Sequence, residues 1–190
     1  MASQLNLFRR QVFTSMFFTQ FFGAFNDNIF KQALILVLTY SAAAKLETEV
    51  SLLNNLAALL FILPYFLFSA LAGQIADKYE KSTLTGHIKL LEIIIMAVAA
   101  VGFIYEIYSL LFFCLFMMGT QSTFFGPIKY AYLPETMRHD ELVAANGLFQ
   151  TSTSLAILTG MMTAGVLTQL YFSEYWLATV TVVVAILGYL

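Results

Sequence analysis

The chain has 190 residues, of which 60% are apolar and 11% charged; nine Lys and Arg against eleven Asp and Glu give a net charge of −2, and the mean hydropathy is +0.81. This is too apolar for a water-soluble domain, and with no Lys/Arg cluster able to neutralise a run of phosphates the composition excludes a nucleic-acid footprint. The single cysteine, Cys114, lies in an apolar run, so it has no internal disulfide partner and reads as a small core hydrophobe.

Apolar stretches fall at about 12–41, 51–76, 88–105, 108–130, 142–171 and 176–190, suited to helices tilted across a hydrocarbon layer about 30 Å thick. The fold class expected is an all-α membrane protein with six transmembrane helices. The last stretch, from Trp176, is short and still apolar at Leu190, which suggests a piece of something larger. Arg9 and Arg10 resemble a twin-arginine export signal only superficially. The run after them exceeds the roughly 7–15 residues of a signal h-region and contains Asp27.

The first stretch is the most telling, because Asn26, Asp27, Asn28 and Lys31 interrupt it. A carboxylate or an amine near a bilayer centre costs about 2.5–3.5 kcal/mol on insertion scales, so such groups normally face a bundle interior or a water-filled cavity and handle a substrate or ion. Residues three or four apart share a helix face, which puts Gln20, Gly23, Asp27 and Lys31 on one stripe. Asp27 and Lys31 can neutralise each other, or hold a charged or zwitterionic ligand, or a counter-charge on a helix outside this chain. Asn26 and Asn28 point elsewhere, and at least one is expected to bond backbone or a neighbouring helix.

The second stretch ends in Gly73-Gln74-Ile75-Ala76-Asp77-Lys78-Tyr79-Glu80-Lys81. A close-packing glycine, an Asp near the helix end and flanking bases would make an electrostatic latch that opens as helices rock. In the third, Lys89 and Glu92 are three apart and read as a structural pair. His87 and Glu92 have the His-x4-acid spacing of an acyltransferase, but on an apolar helix. In the fourth, Ser122, Phe125 and Lys129 share a face with Gln121 beside it, and Gly126-Pro127 is expected to break or kink the helix. Lys129 can meet a phosphate or snorkel to the interface.

The fifth stretch repeats small residues every fourth position, Ser152, Ala156, Gly160, Ala164 and Thr168, a face suited to close helix packing. Asn146, Gln150 and Thr153 lie on another face, which could line a polar path. No catalytic constellation, metal-ligand spacing or Gly-rich phosphate loop is present in the sequence, so no cofactor is expected.

Sidedness follows from basic residues in the connections. Arg9, Arg10, Lys78, Lys81, Lys129 and Arg138 mark one side, while Lys45 with Glu47 and Glu49, then Glu106, then Glu174 mark the other. Both ends are therefore expected in the cytoplasm. Tyr105, Tyr108, Tyr171, Tyr175 and Trp176 fall at outer ends of spans, where amphipathic rings prefer the headgroup layer.

The stretch from Gly73 to Lys81 resembles the cytoplasmic signature of the major facilitator superfamily, G-x-x-x-D-[RK]-x-G-[RK]; Gly73, Asp77, Lys78 and Lys81 match, and Glu80 replaces the usual Gly. A narrower resemblance rests on Gln20-Phe21-Phe22-Gly23-Ala24-Phe25-Asn26-Asp27-Asn28, on Phe125-Gly126-Pro127-Ile128-Lys129-Tyr130-Ala131-Tyr132-Leu133-Pro134-Glu135, and on Leu142-Val143-Ala144-Ala145-Asn146-Gly147. These segments resemble the lysophospholipid transporter branch. The resemblance implies the N-terminal half of a facilitator-type transporter with a 3+3 inverted repeat, flipping lysophospholipids across a bacterial inner membrane. Its implied partners are the lipid substrate, a C-terminal half, and acyltransferase and ligase domains that can follow in the branch. The substrate-binding residues expected are Gln20, Gly23, Asn26, Asp27, Asn28, Lys31, Gln121, Ser122, Lys129, Asn146 and Gln150, with Gly73, Asp77, Lys78 and Lys81 as the gate. The rival reading is a proton-coupled exporter of drugs or small solutes, with Asp27 as proton carrier.

Overall fold

A chain this apolar satisfies its backbone polar groups most simply by closing them into helices, since hydrocarbon offers no partner for a free N–H or C=O. The computed structural model describes residues 4–42, 49–170 and 174–190, and they are helical nearly throughout. A 3-10 segment, Gln4–Arg9, leads into α1 (Gln11–Val37), which continues as a short π-helix, Leu38–Ala42. There follow α2 (Val50–Lys78), α3 (Lys81–Ile104), α4 (Tyr108–Thr136), α5 (Leu142–Leu170) and α6 (Glu174–Tyr189).

Among the described residues, α2 to α5 are long and apolar enough to cross a membrane. α1 has the length, 27 residues, but its polar insert from Asn26 to Lys31 dilutes its apolar character. α6 has 16 residues, about 24 Å at 1.5 Å per residue. Lys45, Glu47 and Tyr171, used above for sidedness, lie outside the described residues.

Two boundaries differ from expectation for local reasons. α3 begins at Lys81 rather than near 88, because Glu80 caps it: the carboxylate accepts from the backbone N–H of Ser82 (2.9 Å) and of Thr83 (2.5 Å). These bonds, that from Thr83 foremost, lower the pKa of this exposed carboxylate. The departure from the facilitator signature is thus a helix N-cap. α4 does not break at Gly126-Pro127 but runs on past Pro134 to Thr136.

α1 packs chiefly along α5 and also against α6; α3 lies between α6 and α4; α4 packs along α2. The small-residue stripe of α5 meets α1: Ser152, Ala156, Gly160 and Ala164 are buried, and a Cβ on Gly160 would come within 2.7 Å of the Phe25 carbonyl oxygen. A second close approach was not read from the sequence: at Gly119 of α4 a Cβ would collide with the Phe61 carbonyl oxygen of α2. Outward faces are apolar, as at Leu52, Leu59, Phe66 and Leu67 on α2 and Leu158 and Met162 on α5, the inverse of a water-soluble surface.

The buried apolar residues form two groups at different depths. One gathers Phe13, Met16, Ile88, Phe125, Ile128 and Phe149; the other gathers Ile29, Phe30, Ala33, Met96, Ala99, Leu111, Leu115 and Met118, with Cys114 among them. On α1, α3 and α4 alike, the buried residues between the two groups are polar or glycine.

Candidate functional site

Five side chains from three helices form a closed ring in that gap. Asn26 Nδ2 on α1 donates to Glu92 Oε1 on α3 (3.0 Å), and Gln121 Nε2 on α4 donates to Glu92 Oε2 (3.2 Å). Ser122 Oγ donates to Asp27 Oδ2 (2.6 Å) and stands 3.2 Å from Gln121 Oε1, so the circuit returns to α1 beside Asn26. Lys89 Nζ joins it, 2.8 Å from Glu92 Oε2 and 4.9 Å from the centre of the Phe125 ring. Asn26, Lys89, Glu92 and Gln121 are buried, which requires each charge to be paired and hydrogen-bonded.

Glu92 meets that requirement fully, with an ammonium and two amide donors on its two oxygens. Asp27 does not. Its Oδ1 is buried without a hydrogen-bond partner among the described residues, and so is Asn26 Oδ1. Asp27 feels attraction from Lys89 and Lys31 and repulsion from Glu92. Yet Lys31 forms no ion pair with it, and lies instead over the Phe61 ring at 5.1 Å. The self-neutralised Asp27–Lys31 pair, one of the two sequence readings, is therefore not what the geometry holds.

The other expected site residues differ in what they contact. Gln20 donates to Thr153 Oγ1 of α5 (2.5 Å) and is buried there. Gly23 presents no ligand surface: a Cβ there would collide with Lys89 Nζ, so its missing side chain is the room that the ammonium occupies. Asn26 is committed to Glu92, and Asn28 donates to the Ala24 carbonyl (2.8 Å) and packs against Gly160, so neither asparagine is a free contact, as the sequence suggested for at least one. Lys129 lies over the Tyr130 ring at 4.9 Å and senses the charge of Asp27. Asn146 and Gln150 are exposed on the outer side of α5, apart from the ring, with Asn146 bonded to the Leu142 carbonyl.

The latch also differs from expectation. Gly73 has nothing within 4 Å of a would-be Cβ, and the tight packing there belongs to Ala72 and Ala76. Asp77 and Lys78 are exposed, with Lys78 over the Tyr79 ring at 5.6 Å. Among the described residues, the ion pairs that join elements at this end are Lys81 with Glu135 (2.6 Å), joining α3 to α4, and a two-pronged Arg10–Glu141 contact (2.9 and 3.0 Å), joining the start of α1 to the α4–α5 connection. His87 is exposed while Glu92 is enclosed by its donors, so the acyltransferase spacing brings no acid–base pair together.

Sequence reasoning therefore found the α1 and α4 members of the ring and read Lys89–Glu92 rightly as a pair, but placed that pair at a span's start rather than at the site's centre. The available signal was an acid and a base inside an apolar helical run, the same signal that singled out Asp27.

Residues 16–190 match the family model of the Major Facilitator Superfamily. The chain is similar to the Lysophospholipid transporter LplT of Photorhabdus laumondii, 31% identical over 172 residues, covering 89% of this chain and 38% of the relative. It is similar also to those of Pectobacterium carotovorum, 32% identical over 154 residues with 78% and 33% covered, and Enterobacter sp. (strain 638), 32% over 149 residues with 78% and 34% covered. The chain thus spans about a third of the length of these relatives. No solved structure matches it.

Proposed function

We propose a transport role from one premise: the chain belongs to the Major Facilitator Superfamily. On this reading it is the N-terminal six-helix half of a transporter that flips lysophospholipids from the outer to the inner leaflet of a bacterial inner membrane, rocking against a C-terminal half, with both ends of this half in the cytoplasm. The observation that carries it is the buried polar ring between two apolar cores, inside a bundle whose outward faces are apolar. Groups so expensive in hydrocarbon belong on a path for a polar headgroup. The names of the relatives supply the substrate class.

The packing supports an inverted 3+3 repeat. Exchanging α1, α2 and α3 with α4, α5 and α6 turns the pair α1–α5 into α4–α2, turns α1–α6 into α4–α3, and leaves α3–α6 as itself; all of these are packed pairs. Within the half, Asp27 with Lys31, Ser122, Gln121 and Lys129 would receive the headgroup, Gln20 would extend the polar face, and Asp77 with Lys78 would gate against the missing half. Acyltransferase and ligase domains would use the lipid delivered.

Uptake of lysophosphatidylethanolamine by the intact protein in membrane vesicles tests the reading. Inward movement that persists after an uncoupler is the expected result. Uptake that vanishes with the uncoupler, together with no lysolipid binding, would replace it with a proton-coupled exporter.

A further inference from the structure

Charge bookkeeping around the ring leaves one carboxylate open. Among the described residues, Lys89 is the one ammonium in ion-pair contact with it, and that ammonium sits on Glu92 rather than on Asp27. Glu92 then draws in Asn26 and Gln121 as well, so the donors that face this gap from α1, α3 and α4 are largely spent on it. Lys31 and Lys129 are turned onto the rings of Phe61 and Tyr130. What remains to Asp27 is the Ser122 hydroxyl on Oδ2, while Oδ1 and the neighbouring Asn26 Oδ1 are buried acceptors without donors among the described residues. A buried acceptor left unsatisfied is expensive, and a buried unpaired charge more so.

We infer that Glu92 is a positioning residue that sequesters Lys89, so that Asp27 presents a free carboxylate oxygen to a single positive charge arriving from outside the chain. The fitting ligand is a monovalent cation of ammonium or sodium size, taken either as an inorganic ion or as the primary ammonium of a lipid headgroup. The inference concerns the site proposed above for the substrate and deepens that reading; its test uses no lysolipid, so its failure and the failure of lysolipid transport can be told apart.

The thermal unfolding midpoint of the intact protein in detergent is measured at pH 8 and constant ionic strength in sodium, ethanolammonium or the bulky N-methylglucamine chloride. A midpoint that rises with sodium or ethanolammonium concentration over the N-methylglucamine baseline is expected. A response to sodium alone assigns an inorganic ion, and a response to ethanolammonium alone assigns the headgroup ammonium. In Glu92→Gln, Lys89 is released to Asp27, and the apparent affinity for the cation should fall at least about tenfold, a change of about 1.4 kcal/mol. Asp27→Asn, which keeps shape, should lose the response as well and guards against a Glu92 variant that does not fold. Equal midpoints in all three salts would overturn the inference, as would a response that survives both substitutions. A midpoint that rises only on acidification, whatever the salt, would also overturn it, because the site would then take a proton.

Discussion

At position 23 the absence of a side chain does specific work, since the Lys89 ammonium fills the place a methyl would take. Gly23→Ala must push that ammonium off Glu92 or force α1 and α3 apart, and overpacking of this kind costs about 1–3 kcal/mol. The loss should be read as a lower unfolding midpoint, and it should be markedly smaller in a Lys89→Met background, the non-additivity expected of two residues in contact. Asp27 carries a different prediction. Because it accepts from Ser122 and forms no ion pair with Lys31, Asp27→Asn should leave membrane abundance intact while lowering transport at least about tenfold, and adding Lys31→Met should not restore it. Recovery in the double variant would mean that the carboxylate merely neutralises the lysine.

At the scale of helices, two glycines that look alike in the sequence separate in the structure. Gly160 faces the Phe25 carbonyl of α1, a backbone atom that cannot swing away, so Gly160→Ala should lower stability by about 1–3 kcal/mol. Gly73, with open space around it, should accept alanine within about 0.5 kcal/mol despite its place in the signature stretch. The first turn of α3 offers a pH test outside the membrane. The Glu80 cap lowers that carboxylate's pKa, so the cap's contribution is whole above the ordinary carboxylate range and is lost as pH falls through the depressed folded value. Amide exchange at Ser82 and Thr83 should therefore quicken as pH falls into that range relative to amides deeper in α3, and Glu80→Ala should show the faster exchange at neutral pH.

The helices themselves were legible because each apolar run is long and the interruptions in α1 stand out against it. The boundary of α3 was not, since Lys81 to His87 is polar enough to read as a loop, and what makes it helical is one carboxylate just before it. The ring was legible only in halves: Asp27 and Ser122 lie in separate runs, and Glu92 meets Asn26 across 66 positions and Gln121 across 29. Periodicity ranks faces within one helix. It carries no information on which faces of different helices converge, so nothing in the sequence shows that the space beside Gly23 is the place of the Lys89 ammonium.

The whole molecule is electrically lopsided, and the ion pairs explain how the lopsided end is built. Arg10 with Glu141 and Lys81 with Glu135 tie the beginnings of α1 and α3 to the end of α4 and the connection after it, so the basic connections share one face. Partly exposed pairs of this sort contribute little energy, about 0–1 kcal/mol each, but they fix which connections lie together. At the opposite face, exposed Tyr105, Tyr175 and Trp176 sit at helix ends, where amphipathic rings suit a headgroup layer. If lysines and arginines are retained on the cytoplasmic side, a cysteine placed at Glu106 should react with an impermeant maleimide added to intact cells. Cysteines at Lys78 or Arg138 should react only after the membrane is opened. The native Cys114 is buried, 1% exposed, and should keep the background low. Labelling of Lys78→Cys and Arg138→Cys in intact cells, with Glu106→Cys protected, would invert the assignment.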